Sequence, residues 1–366
     1  IIMGIEIDYI PVGEGEKSGD AICLRYGNLY GRREEQAIVV IDGGFKKSGE
    51  AMVEHIKKYY NDPKKIDFVF LTHPDLDHAS GLNEIFDNFE VTYFGMHKAW
   101  EHSRNIASAF KDGRVTSNSI KDRLKDDLEL VYDLAKKASE KGAKLFEPFS
   151  NNSKVNNEIT ILGPSKEYYE EMLIASDSTP ESLSEASTFG FVKKAYESVK
   201  NKIQEDWFQE KLFEPADNAT KPWNNTSIIL LLNYNNRKYL FTGDAGVPAL
   251  WKATEKGKEL GINLQNIDFL DVPHHGSKRN LGPKILNYLL GEPLSKVPTE
   301  YNNTAYVSAS KDGEPKHPSR KVINALLRRG AKVIVNKDIT VHHFREAPDR
   351  GWGPVTPETF CNEFEE

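Results

Sequence analysis

His73, Asp75, Asp77 and His78 lie within one run of six residues, His73-Pro74-Asp75-Leu76-Asp77-His78. Imidazoles and carboxylates packed so densely need counter-charge, and divalent cations supply it. Such a mixed ligand set suits Zn, Mn or Fe. Asp42, Asp244, the pair His274-His275 and His317 stand elsewhere, each after an apolar run or in a turn. A single Asp-Gly-Gly or His-His is usually only a turn or a loop cap. All of them together, in this order and at strand ends, read as a metal centre. The only cysteines are Cys23 and Cys361, which excludes a Cys-rich zinc site and a disulfide framework. Two cations close together can bridge a hydroxide, lower its pKa and clamp both oxygens of a displacement.

Those side chains need rigid supports, and the apolar runs supply them. Residues 4–10 alternate and read as a strand, as does Ala21–Tyr26. Ala37–Ile41 is a buried strand ending in Asp42-Gly43-Gly44, and Asp67–Thr72 is a second one that delivers His73. Ile228–Leu232 and Arg237–Phe241, joined through Asn235-Asn236, form a hairpin running on to Thr242-Gly243-Asp244. Ile267–Val272 delivers the histidine pair; Thr304–Ser308 and Lys332–Val335 are further strands. Helical spacing marks 48–60, 247–260, 283–290 and Ser319–Arg329. Strands pair with helices in both halves, which predicts a two-sheet α/β sandwich rather than an open parallel sheet. Residues 97–222 read as a largely helical insertion interrupted by one strand at 158–162. It contains one long amphipathic helix, Asp122 to Lys141, and a Ser/Glu-rich run, SDSTPESLSEAS, with the composition of a mobile loop. The expected organisation is a hydrolase domain over 1–345, insertion included, and a peripheral tail over 346–366.

The run Thr72-His73-Pro74-Asp75-Leu76-Asp77-His78-Ala79-Ser80-Gly81-Leu82 resembles the signature of the metallo-β-lactamase superfamily. Asp42-Gly43-Gly44 resembles its first motif, Thr242-Gly243-Asp244 its bridging aspartate, and Pro273-His274-His275-Gly276-Ser277 its last histidine motif. These forms, with Asn225-x-Ser227 and His317-Pro318-Ser319, are most similar to the hydrolase domain of ComEC-type competence proteins. The likeness covers about 4–95 and 222–340 and leaves out the insertion. It implies an αββα four-layer sandwich and a metal-dependent hydrolase with one or two divalent ions, Zn or Mn foremost and Mg as the alternative. One ion would be held by His73 and Asp75. The other would be held by Asp77, His78 and one of His274 or His275, with Asp244 bridging. Asp75 stands where the superfamily commonly has histidine, and Asn225–Ser227 stand near the place of its third-motif histidine. The first site is therefore expected to be short of protein ligands: weak, completed by substrate, or empty. Asp77, Asp244 and His317 are the candidates for catalysis, His317 as a proton donor to a leaving alkoxide or a phosphate contact. Asp42, Asn225, Ser227, Ser277, Lys278 and Arg279 are candidates to touch substrate or support the ligands.

The 48 Lys and Arg against 55 Asp and Glu leave a formal net charge of −7. No global basic field draws the protein to nucleic acid. That disfavours a pure binding module but not an enzyme with a local basic groove. Basic pairs occur at Lys46-Lys47, Lys193-Lys194, Lys278-Arg279 and Arg328-Arg329. The resemblance points to a phosphodiesterase or nuclease acting on nucleic acid. The alternatives are a hydrolase of a cyclic nucleotide, phosphoester, lactone or thioester, and an effector activated by a protein partner or by self-association through 97–222. No stretch approaches the roughly 20 apolar residues of a membrane span. The first residues lack the order of a signal peptide, and the cysteine usage fits a reducing cytoplasm. His97 and His102 are expected at the surface. His342-His343 is expected to pack rather than bind metal.

Overall fold

Along Ile38-Val39-Val40-Ile41 the side chains alternate between two interiors. Ile38 and Val40 join a core with helices, whereas Val39 and Ile41 join a core between two sheets. A strand buried on both faces reads as an unbroken apolar run, which is why these segments stand out in the sequence. Ile229 and Leu231 alternate in the same way with Leu230 and Leu232 on the second sheet. The computed structural model describes residues 2–13, 15, 17–109, 116–176, 202–313 and 317–365. The Ser/Glu-rich run from 177 onward and Lys193-Lys194 lie outside the described residues.

The first sheet is built from β1 (Gly4–Tyr9), β2 (Ala21–Gly27), β3 (Gln36–Gly43), β4 (Lys65–Phe70), β5 (Glu90–Gly95), β6 (Lys144–Phe146) and β14 (Val341–Arg345), in the order β14-β1-β2-β3-β4-β5-β6. The second has the order β13-β12-β11-β10-β9-β7, from β7 (Ile159–Gly163), β9 (Ile229–Tyr234), β10 (Arg237–Phe241), β11 (Phe269–Asp271), β12 (Asn303–Val307) and β13 (Ala331–Val335). Strands β3 to β6 are parallel, and so are β10 to β13. Their C-terminal ends therefore gather at one edge of the sandwich. Helices α1 (Lys46–Tyr59) and α3 (Leu82–Asn88) pack outside the first sheet. Val247–Glu259, Pro283–Leu290 and Arg320–Arg328 pack outside the second. The layers are αββα, as the resemblance implies. Asn235 and Asn236 both take positive φ, 50° and 57°, the turn expected of a tight hairpin.

Three expectations are corrected. The long helix from 122 to 141 is two helices, α5 (Ser117–Asp127) and α6 (Glu129–Glu140), because Leu128 leaves helical geometry at φ −114°, ψ 31°. Its one-sided apolar spacing survives the break, since Leu124, Val131, Leu134, Ala135 and Ala138 all join the first outer core. The 97–222 region supplies three strands rather than one: β6 at the edge of one sheet, β7 at the edge of the other, and Lys202–Gln204 in a separate two-stranded sheet. The 346–366 tail is not wholly peripheral among its described residues. Glu363–Glu365 (β15) pairs antiparallel with Lys202–Gln204 (β8), Phe364 is buried, and Arg350 reaches Glu6 and Asp8 inside the protein. Among the described residues, no helix is long and apolar enough to cross a membrane.

Candidate metal centre

Near the C-terminal end of β3, Asp42 takes left-handed geometry, φ 57°, as does Gly44 just beyond the strand, φ 64°. β4 leads to Thr72 and His73 at its C-terminal end. Asp77 and His78 are not at a strand end, contrary to expectation; they ride on a single helical turn, α2 (Leu76–Ala79). That turn is drawn against β3 because Gly81 has no side chain: a Cβ there would fall 1.9 Å from the Gly43 carbonyl oxygen. Asp42 then ties the two elements together. Its Oδ1 accepts from the Thr72 amide at 2.7 Å, and its Oδ2 accepts from the Thr72 hydroxyl at 2.6 Å and faces His78 Nδ1 at 2.7 Å. Asp42 is thus a brace for His78.

β10 delivers Asp244, and β11 delivers His274 and His275. Both histidines have positive φ, 49° and 55°. Consecutive non-glycine residues in this region are costly and gather at functional sites. Contacts on either side hold them there: the His274 amide donates to the Gly243 carbonyl at 3.1 Å, His274 Nδ1 meets Asn280 Oδ1 at 2.8 Å, and His275 Nδ1 meets the Ser308 carbonyl at 3.0 Å. With Nδ1 engaged on both rings, both Nε2 atoms turn to Asp244.

The two oxygens of Asp244 divide the cluster. Oδ2 lies 3.6 Å from His73 Nε2 and 3.4 Å from His274 Nε2; His73 Nε2 also lies 3.7 Å from Asp75. Oδ1 lies 3.4 Å from His78 Nε2 and 3.9 Å from His275 Nε2; His275 Nε2 also lies 3.7 Å from Asp77. The expected choice between His274 and His275 is thereby replaced by one histidine in each half. The half around His73 gains an imidazole that the sequence did not assign to it.

Four of these buried atoms, Nε2 of His73, His78 and His275 and Oδ1 of Asp244, have no hydrogen-bond partner. Leaving polar atoms buried and unpaired is costly. The ligand atoms of His73, His78 and Asp244 lie within 4.8 Å of one another, and so do those of Asp77, His78 and His275. The donor set fits divalent cations of the imidazole-and-carboxylate type. Electrostatics agree. Burial opposes ionisation of Asp244, yet His274, His78, His275 and His73 hold its carboxyl well below the usual range. Burial likewise opposes charge on His275, but Asp244, Asp20 and Asp77 push it up to about 10. Burial dominates at His274 and pulls it down. Without a cation, protons supply part of the positive charge that these carboxylates demand.

The supporting residues differ in part from those expected. Ser227 accepts from the Asp244 amide at 3.0 Å and Asn225 accepts from the Gly246 amide at 3.0 Å, so both shape the Asp244 turn. The amide touching the Asp244 carboxylate belongs to Asn224, whose Nδ2 donates to Oδ2 at 3.0 Å. Ser277 is buried, whereas Lys278 and Arg279 are exposed. His317 sits beside the pair, its ring 5.3 Å from that of His274 and 6.0 Å from that of His275. Asn280, which with Ser277, Lys278 and Arg279 follows the histidine motif as a candidate for an anionic substrate, is instead a support for His274. The buried Asp20 is a support that the sequence does not point to, because it precedes an ordinary strand and carries no local signal. Arg328 and Arg329 are buried, paired with Glu205 and Glu210, and are not available to a polyanion. His102 is buried between Glu147 and Glu170, not at the surface, and burial lowers His97 to about 4. His343 packs on Tyr239, Phe269 and Tyr306 as expected.

A cavity of about 1230 Å³ opens over the cluster, lined by Asp75, Asp77, His274, His275 and His317. The junction of α5 and α6 contributes Asp126, Asp127 and Glu129 to its wall, and Lys17 is the one lysine or arginine among its described lining residues.

Residues 29–146 match the metallo-β-lactamase superfamily. The chain is 31% identical over 124 residues to ComE operon protein 3 of Bacillus subtilis, covering 33% of this chain and 13% of that protein's length. Among solved structures, a putative metallo-β-lactamase from Thermotoga maritima aligns with 13% identity and a TM-score of 0.33, covering 73% of this chain and 93% of that one. Unliganded yeast PDE1 aligns with 11% identity and a TM-score of 0.43, covering 93% of this chain and 99% of that one.

Proposed function

We propose that the chain, whose residues 29–146 match the metallo-β-lactamase superfamily, is a metal-dependent phosphodiesterase acting on nucleic acid. The observation that carries the reading is the division of Asp244, whose two oxygens each face an independent pair of imidazoles. Asp75, His73 and His274 would complete one cation site, and Asp77, His78 and His275 the other. Divalent cations bound there supply an activated water and neutralise the oxygens of an in-line displacement. The chain itself does the rest. Asp42, Asn280, Ser308 and Thr72 fix which nitrogen of His78, His274, His275 and His73 points inward. His317 borders the cavity, where an imidazole can hand a proton to a leaving oxygen.

The likeness to ComEC-type proteins supports nucleic acid as the substrate, as do the exposed Lys278 and Arg279 beside the histidine pair and Lys17 in the cavity. A second reading, a small phosphodiester, is favoured by one observation: the carboxylates of Asp126, Asp127 and Glu129 stand on the cavity wall, where they repel a polyanion. A partner-activated effector draws less support, because the apolar residues of α5 and α6 are already buried in the first outer core.

The test is cleavage of labelled single- and double-stranded DNA and of a bis-aryl phosphodiester with Mn²⁺, Mg²⁺ or Zn²⁺, beside an Asp77→Ala control. Metal-dependent cleavage of DNA that the variant loses is the expected result. Cleavage of the small diester alone selects the second reading, and hydrolysis of neither with any cation contradicts the phosphodiesterase.

A further inference from the structure

We propose that Asp20 is a positioning residue that makes the Asp77/His78/His275 half the tighter cation site, so that the two halves of the centre fill in order. The inference rests on the reading that the Asp244 cluster holds two cations. Asp20 is 4% exposed and closes the segment before β2. Its Oδ1 lies 3.4 Å from His275 Nδ1 and its Oδ2 lies 3.8 Å from His78 Nδ1. These are the ring nitrogens facing away from Asp244, and each already has a nearer partner, the Ser308 carbonyl at 3.0 Å and Asp42 at 2.7 Å. Asp20 therefore adds a carboxylate behind both rings rather than their primary hydrogen bonds.

The placement is built. The Asp20 amide donates to the Asp77 carbonyl at 3.2 Å, and the Ser308 hydroxyl donates to the Gly19 carbonyl at 2.7 Å. One residue before Gly19, Ser18 Oγ accepts from the Ser310 amide at 3.0 Å. A Cβ on Gly19 would lie 2.3 Å from the Asp77 carbonyl oxygen, so this segment lies directly on the backbone that carries Asp77. One short stretch thus touches Asp77 and stands behind His78 and His275.

The other half is supported by neutral groups. Thr72 Oγ1 faces His73 Nδ1 at 3.1 Å, Asn280 Oδ1 faces His274 Nδ1 at 2.8 Å, and Asn224 Nδ2 occupies Asp244 Oδ2 at 3.0 Å. A carboxylate behind a ligating imidazole raises its basicity and orients it, whereas an amide does so weakly. An amide donor on Asp244 Oδ2 also competes with a cation for that oxygen. Two buried carboxylates, Asp20 and Asp42, thus face the rings of one half directly, whereas the rings of the other half meet neutral groups and Asp42 reaches His73 only through the Thr72 hydroxyl.

The experiment is a stepwise Zn²⁺ titration of chelator-stripped full chain, read by native mass spectrometry and by competition with a chromophoric chelator. The wild type is expected to take up two ions in separated steps. Asp20→Asn is expected to weaken the first step by about 10–100-fold and to leave the second unchanged. Equal shifts in both steps, or no shift in either, would overturn the proposal. A measurement that needs no variant stands beside it: anomalous diffraction of wild type with one equivalent of Zn²⁺. The peak is expected among Asp77, His78 and His275; a peak between His73 and His274 overturns the assignment. A chain that takes up no Zn²⁺ at all overturns the two-cation reading, and the proposal with it.

Discussion

One buried cluster of histidines and carboxylates lies on β1 and another around Asp244, and they solve the same electrostatic problem in opposite ways. In the cluster on β1, Glu6 and Asp8 are fully buried. Arg25 donates to Glu6 at 2.5 Å, and Arg350 bonds both Glu6 and Asp8, the latter at 2.8 Å. His342 lies 3.2 Å from Glu6, His55 lies 3.1 Å from Asp8, and the Tyr60 hydroxyl donates to Asp8 at 2.7 Å. The Arg350 guanidinium also lies 4.8 Å from the Tyr59 ring centre and 5.2 Å from that of Trp352. Ligand-type atoms are as close together here as around Asp244. Yet the positive charge is built into the chain. Burial opposes ionisation of Glu6 and Asp8, and the surrounding imidazoles and guanidinium groups nevertheless hold both carboxyls low. Around Asp244 no guanidinium enters among the described residues, and Nε2 of His73, His78 and His275 faces its carboxylate without a hydrogen bond. A crowd of His, Asp and Glu does not by itself mark a metal site. What marks it is whether the chain supplies the counter-charge.

The largest expected effect lies on the metal side. Asp244→Ala should lower metal-dependent hydrolysis by more than about a thousandfold, ~4 kcal/mol of transition-state stabilisation. Thermal melts in chelator should leave the variant's stability close to that of wild type. A large loss of stability in the metal-free state would erase the contrast between the clusters. Arg350→Met should behave in the reverse way. Removing one partner of a buried ionic cluster costs about 3–5 kcal/mol, read as a lower urea midpoint, with hydrolysis per folded molecule unchanged. Chelation sharpens the comparison. A cation held at a hundred times its dissociation constant adds ~2.7 kcal/mol to the folded state, so stripping it should lower wild type and Arg350→Met by equal amounts. Unequal losses would mean the clusters are coupled.

The smallest effect is a pH slope from imidazoles outside both clusters. Burial lowers His97 to about 4 and His343 to about 3. Their unfolded counterparts bind protons below about 6.5, where the folded chain does not yet. Stability contributed by each neutral ring is therefore present above pH 6.5. It is lost as pH falls towards 4 for His97 and 3 for His343, by at most ~1.4 kcal/mol per pH unit for each proton. His97→Phe should flatten the urea-midpoint profile between pH 6.5 and 4; an unchanged slope would show that the ring is not buried neutral.

The contrast also explains what could be read before the structure. His73, Asp75, Asp77 and His78 are close in the chain and follow a strand buried on both faces, so a local pattern exposes them. Asp244 and the histidine pair follow similar runs. Their division into two halves was not legible, because it depends on the left-handed backbone at His274 and His275 and on partners such as Asn280. Glu6 and Asp8 occupy the polar positions of an alternating strand, which normally face water. They are buried because Arg350 arrives from 342 residues beyond Asp8, a contact that no local pattern encodes. The same distance made the C-terminal residues look peripheral. The break between α5 and α6 was hidden because Leu128 keeps the apolar spacing while its backbone leaves the helix.

The most direct test of the account is the number of divalent ions per folded chain at saturation, measured by elemental analysis after equilibrium dialysis against Zn²⁺ or Mn²⁺. Wild type and Arg350→Met should each hold two ions per chain, and Asp244→Ala should lose at least one of them. Two ions retained without Asp244, or an ion lost with Arg350, would contradict the claim that the chain leaves its counter-charge open in one cluster and closes it in the other.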